Sequence, residues 1–165
     1  MAGFSASRGR FRSETSDDPR EQKRIEREIA VWKRKPYVAV GVQGAQAAGT
    51  YESGETLVDV ATKHEFGQGR VPQRSFIRAT MDEQAGQFGL MGARLLGQII
   101  DGQQTTLGAL GTAGEAIKGA IQRKISSNIP PPLKVRDGIA LIDTGRLRNS
   151  ITWEVFERGG SDEEQ

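Results

Sequence analysis

Apolar residues recur along this chain in short stretches, and their spacing changes from helical to alternating and back. From Pro19 to about Lys35 they fall at Ile25, Ile29 and Trp32, steps of four and three that mark one narrow helical stripe. Asp17 or Asp18 supplies an N-cap, Pro19 suits the first helical position, and Pro36 ends the run. The other faces are charged, so this helix covers a surface or docks on a neighbour and does not build a core. Tyr37 to Val42 alternates and is rich in Val, the pattern of a strand. Residues 43–54 are a Gly/Ala/Ser-rich loop, and Thr56 to His64 is too short for periodicity to separate a second strand from a short helix.

Residues 65–80 (EFGQGRVPQRSFIRAT) read as a shaped, exposed loop punctuated by Gly67, Gly69 and Pro72. Thr80 with Glu83 forms a capping-box pattern, which predicts a helix starting there. Met81, Ala85, Phe88, Met91 or Gly92, Leu95 and Ile99 keep the helical period. Gly86, Gly89, Gly92 and Gly97 each cost a helix about 1 kcal/mol relative to Ala, tolerable where a neighbouring backbone packs closely. After a Gly-punctuated connection over 101–111, Thr112 with Glu115 is a second capping box, and Ala113, Ile117, Ala120, Ile121 and Ile125 give one apolar face. That helix stops near Ser127, before the extended Ile-Pro-Pro-Pro segment at 129–132. Asp143–Thr144–Gly145 then caps a short helical turn through Asn149, and Ile151 to Phe156 alternates as a closing strand.

The expected fold is α+β: a small, mainly antiparallel sheet from 37–42, 56–63 and 150–157 packed against two helices, plus a separate basic N-terminal helix. The chain divides into a basic arm with helix over 1–36, a core domain over 37–157 and an acidic flexible tail over 158–165. The 165 residues suffice for one domain, and the low aromatic content, 6%, makes its core small and aliphatic. Charge sharpens the division. Residues 1–36 hold ten Lys/Arg against six Asp/Glu, whereas 157–165 hold one Arg against four acids. Opposite ends of this kind can attract neighbouring copies or simply be solvated.

Candidate chemistry is sparse. With no Cys there are no disulfides, thiolate metal sites or Cys nucleophiles. The one histidine, His64, has only Asp59 and Glu65 as nearby carboxylates and reads as a packed or surface residue. No Gly-x-Ser-x-Gly elbow, P-loop or dinucleotide fingerprint is present, and Gly67-Gln-Gly69 runs into Val71-Pro72 instead of a helix. No enzyme, cofactor or metal is expected. No apolar run is long enough to span a membrane, and the N-terminus lacks the apolar stretch of a secretory signal, which points to assembly in the cytoplasm. Arg20, Lys23, Arg24, Arg27, Lys33, Arg34 and Lys35 with Trp32 make the helix at 19–35 a candidate nucleic-acid binder, although Glu21, Glu26 and Glu28 interleave as on a solvated helix.

Two segments carry a resemblance. Lys63-His-Glu-Phe-Gly67 with Val71-Pro-Gln-Arg-Ser-Phe-Ile-Arg-Ala79, then Pro131-Pro-Leu-Lys134 with Leu141-Ile-Asp-Thr-Gly-Arg-Leu-Arg-Asn-Ser-Ile-Thr-Trp-Glu154, resemble the neck and tail-completion proteins of tailed bacteriophages, particularly the Mu-type virion morphogenesis group. In that family an EFG-type loop precedes a long helix, and a DTG-type turn leads into a closing strand. The order and spacing match over 37–157, while 1–36 lie outside the common core. The resemblance implies a homo-oligomeric ring, of six or twelve copies, in the virion neck at the head–tail junction. Its neighbours would be portal-side adaptor or stopper proteins and tail-tube or terminator proteins, with non-specific contact to channel DNA. A tail-terminator or minor tail protein is the alternative within this class.

Assembly contacts are then expected at Glu65, Phe66, Gly67, Arg74, Phe76, Arg78, Asp143, Thr144 and Arg146, with Arg24, Arg27, Trp32 and Arg34 as a docking helix, since Arg and aromatic residues are the usual interface anchors. Each has an internal alternative. Phe76 and Ile77 can seat the loop on its own core, Asp143, Thr144 and Arg146 can form a capped turn with a local ion pair, and Trp153 reads as core.

Overall fold

The computed structural model describes residues 18–44, 47, 49–51, 54–131 and 145–158. Its elements run α1 (Pro19–Lys33), β1 (Pro36–Val42), α2 (Leu57–Phe66), α3 (Ile77–Ile100), α4 (Thr106–Ser126), α5 (Arg146–Asn149) and β2 (Ile151–Glu157). The α+β class holds: the described residues form five helices with a two-stranded antiparallel sheet. β1 and β2 pair from Pro36 opposite Glu157 to Val42 opposite Ile151. Val38, Val40 and Val42 therefore meet Val155, Trp153 and Ile151 on one face, which α4 covers. Tyr37 and Phe156 stack on the opposite face, ring centres 5.5 Å apart.

The undecided stretch at 56–64 is helical, so the expected third strand is absent. Thr56 decides it: its hydroxyl accepts the Asp59 N–H while the Asp59 carboxylate accepts the Thr56 N–H, a reciprocal cap that starts α2. The two capping boxes expected from sequence are not used. Thr80 lies inside α3, which begins at Ile77, and its buried hydroxyl donates back to the Phe76 carbonyl at 2.6 Å. Thr112 lies inside α4, which begins at Thr106 behind Thr105, whose hydroxyl accepts the Gly108 N–H. The short turn at Arg146–Asn149 and the closing strand form where expected. Its proposed caps Asp143 and Thr144, the arm before Asp18 and the tail beyond Arg158 lie outside the described residues.

One core joins Ala61, Phe76, Ile121, Ile125, Leu147 and Ile151, drawn from α2, the loop before α3, α4, α5 and β2. A smaller cluster of Leu95, Ile99 and Ala109 closes the α3–α4 hairpin. Helix α4 approaches the sheet at two glycines. A Cβ on Gly114 would lie 2.8 Å from the Trp153 indole and 2.9 Å from Val38, and one on Gly111 would lie 3.1 Å from Trp153. No side chain larger than hydrogen fits at Gly114 without displacing the Trp153 or Val38 side chain.

Helix α1 buries no residue fully. It lies across the α3–α4 turn through polar ties. Arg24 donates to the carbonyls of Ile99 and Ile100, both at 2.8 Å, at the C-terminal end of α3. Glu28 accepts the Thr106 N–H at 2.9 Å and the Thr106 hydroxyl at 2.6 Å, at the start of α4. A cation at a helix C-terminus and an anion at an N-terminus both match the helix dipoles.

Candidate assembly surface

Polar groups of the 65–79 segment converge on one side chain. Glu65, at the end of α2, is buried. Its carboxylate accepts the backbone N–H groups of Phe76, Ile77 and Arg78 at 2.8–3.0 Å and the Ser75 hydroxyl at 2.7 Å. These are the orphan donors at the start of α3, which has no side-chain cap of its own at Phe76. Burial alone would raise the Glu65 carboxyl, but the Ser75 hydroxyl and the three N–H groups outweigh it and hold it below the ordinary carboxylate range. The Arg78 guanidinium closes the arrangement, 3.2 Å from the carboxylate and 2.9 Å from the Glu65 carbonyl.

Gly67 makes this joint possible. Its φ is +72°, and a Cβ there would lie 3.0 Å from the Gln73 backbone as the loop doubles back. Arg74, also buried, donates two hydrogen bonds to the Pro131 carbonyl at 2.7 and 2.9 Å, tying the loop to the end of the 127–131 segment. His64 is half-buried, with its Nδ1 lacking a partner among the described residues. Burial, helped by the Arg74 charge, pulls its pKa down and keeps it neutral.

The residues expected at an assembly contact divide between the interior and the surface. Glu65, Arg74 and Phe76 are buried in the chain, the last with no exposure, and they bond or pack within it. Phe66 and Arg78 stay at the surface, the guanidinium 4.8 Å above the ring. Beside them Val42, Val58, Ala61, Phe66, Phe76 and Ile77, with Thr62 and Glu65, line an open, mainly apolar notch of about 160 Å³, room for one incoming side chain. Arg146 forms no ion pair among the described residues; it donates to the Thr50 carbonyl at 2.8 Å and stacks 4.7 Å from the Tyr51 ring. On α1, Arg24 is committed to α3, Arg34 pairs with Glu157 at 2.9 Å, and Trp32 donates to Thr106, while Arg27 is exposed. Trp153, read as core from the sequence, is only partly buried: its indole lies against Gly111 and Gly114 of α4 and donates to Glu115 at 2.7 Å.

The larger unfilled surface was not anticipated. Residues 84–100 of α3 carry a single charge, Arg94. One side of this stretch packs on α4 through Met91, Leu95 and Ile99. On the other side Leu90 is 76% exposed, Ile100 61% exposed, and Leu96 is also exposed. A helix apolar on both sides is ordinarily covered on both, and this near-absence of charge was the signal in the sequence. Among the described residues no three His, Asp or Glu side chains gather to hold a metal, and no helix is long and apolar enough to cross a membrane. Comparison with known protein families, curated proteins and solved structures finds no match for this chain.

Proposed function

We propose that this chain is a structural subunit of a tailed-phage neck, one copy of a ring that joins the head to the tail. The observation that carries the reading is the meeting of the two family-like segments. They lie more than fifty residues apart in the chain, yet Phe76 of the first shares a core with Leu147 and Ile151 of the second. Arg74 of the first also binds Pro131, where the second begins. A motif used this way specifies a rigid body, and the work of such a subunit is to present surfaces to its neighbours. The exposed apolar face of α3 and the notch beside Phe66 are surfaces of the kind such a subunit needs.

The test is reconstitution. Heads and tails assembled without this chain should remain separate, and adding the purified protein should restore joined particles, counted by electron microscopy. Joined particles in its absence, or no restoration when it is added, would overturn the proposal. Binding to portal-side proteins distinguishes a neck subunit from a tail terminator, which would bind tube proteins only.

A further inference from the structure

Helix α1 is amphipathic, and among the described residues it is tied to its own chain by hydrogen bonds, with no residue of its apolar stripe fully buried. The ties to the α3–α4 turn come from Arg24, Glu28 and the Trp32 indole N–H. Ile25, Ile29 and Trp32 are left close to half exposed. On α3, nothing described lies within 4 Å of where a Cβ would stand on Gly86, Gly89, Gly92 or Gly97. Among the described residues, two helices thus present apolar faces left at least partly open, and the faces have opposite relief. One carries bulky side chains at steps of four and three, and the other sets small residues at 86, 89 and 93 beside the exposed Leu90.

We infer that the Ile25–Ile29–Trp32 stripe of one copy docks, antiparallel, on the outer face of α3 in a second copy. Read in opposite directions, the steps 32, 29, 25 and 86, 89, 93 coincide, so the three large side chains meet the three small positions turn by turn. Charge fixes the direction. Antiparallel docking brings Lys33, at the end of α1, to Asp82 near the start of α3, and sets Glu26 beside Arg94. Because the two faces differ, each copy offers one face to each of two neighbours, the head-to-tail relation that closes into a ring. The strip, roughly 22 Å by 11 Å, is about a third of the ~800 Å² per partner of a stable interface, so one contact gives concentration-dependent association. Closure, in which every copy makes the contact twice, gives a lasting assembly. This inference rests on the proposed ring, and its test separates the two.

The experiment measures mass in solution for the full chain, for Ile29→Glu, for Leu90→Glu and for an equal mixture of the variants. The wild type should run well above its 18.0 kDa monomer. Each variant alone should fall to the monomer at the same concentration, at least a tenfold weaker association. The mixture should recover a two-chain species and nothing larger, because it retains one intact α1 stripe and one intact α3 face. A monomeric wild type up to about 1 mM would overturn both the ring and this surface. An oligomeric wild type with Ile29→Glu still associated, or a mixture that stays monomeric, would overturn this docking alone and leave the ring standing. Both side chains are exposed, so far-UV circular dichroism should match the wild type. If a variant loses helix, Ile25→Gln and Gly89→Gln repeat the test with smaller perturbations.

Discussion

Two helices of this molecule are rich in glycine, and their glycines do opposite things. In α4, Gly111 and Gly114 let the helix lie against the Trp153 indole, with no room for a Cβ at Gly114. In α3, Gly86, Gly89, Gly92 and Gly97 face open space. Both helices carry a cost in propensity. In α4 it is repaid within the chain by close packing on the sheet. In α3 nothing in the described residues repays it, and that asymmetry separates a packed joint from an open surface.

The sharpest way to break this comparison is to truncate one large apolar side chain in each region. Phe76→Ala, in the fully buried joint, should cost about 3–5 kcal/mol of unfolding free energy in urea, whereas Leu90→Ala on the outer face of α3 should stay within about 0.5 kcal/mol in dilute monomer. Comparable losses at the two sites would mean that α3 is covered by its own chain.

Next in size is the cap. Glu65→Ala leaves three buried N–H groups and a hydroxyl without their acceptor, and should cost about 2–4 kcal/mol. Its pH dependence has a definite sign. The folded carboxyl titrates below its ordinary 4.5, so the stabilisation is fully present above about that pH and is lost as the pH falls through the lowered value. The stability difference between wild type and Glu65→Gln should therefore be constant near neutrality and shrink on acidification. A difference that grew toward low pH would refute the assignment.

The glycines themselves give the finer contrast. Gly114→Ala should destabilise by about 1–3 kcal/mol, because the added methyl meets Trp153 and Val38. Gly86→Ala should stabilise the dilute protein by about 0.5–1 kcal/mol, since the site is open and helical. Chemical denaturation of the two variants side by side reads both signs, and a shared sign would erase the distinction drawn here.

Much of the fold was legible in the sequence. The stripe of α1 and its stop at Pro36, the Val-rich strand, the apolar face of α4 and the alternation of β2 are local periodicities, and α1 and both strands formed nearly where their patterns placed them, while α4 begins at Thr106, ahead of the expected Thr112. Capping patterns misled at Thr80 and Thr112 because the same residues sit comfortably inside a helix by bonding back four residues, as both do. The site was less legible. An Arg–aromatic loop looks alike in one dimension whether it faces a partner or its own core, and Glu65 and Arg74 found their partners at positions 76–78 and 131.

The sequence by itself determined the class of the fold, the order of most of its elements and the absence of any thiol chemistry, because these depend on side-chain type and on neighbours a few residues away. Only the tertiary structure decided which glycines are packed and which are bare, that Glu65 caps α3, and that α1 is tied down by Arg24, Glu28 and the Trp32 indole N–H with its apolar stripe about half exposed. Those outcomes depend on which surfaces the fold brings together, and periodicity records that a helix has an apolar face without recording what that face meets.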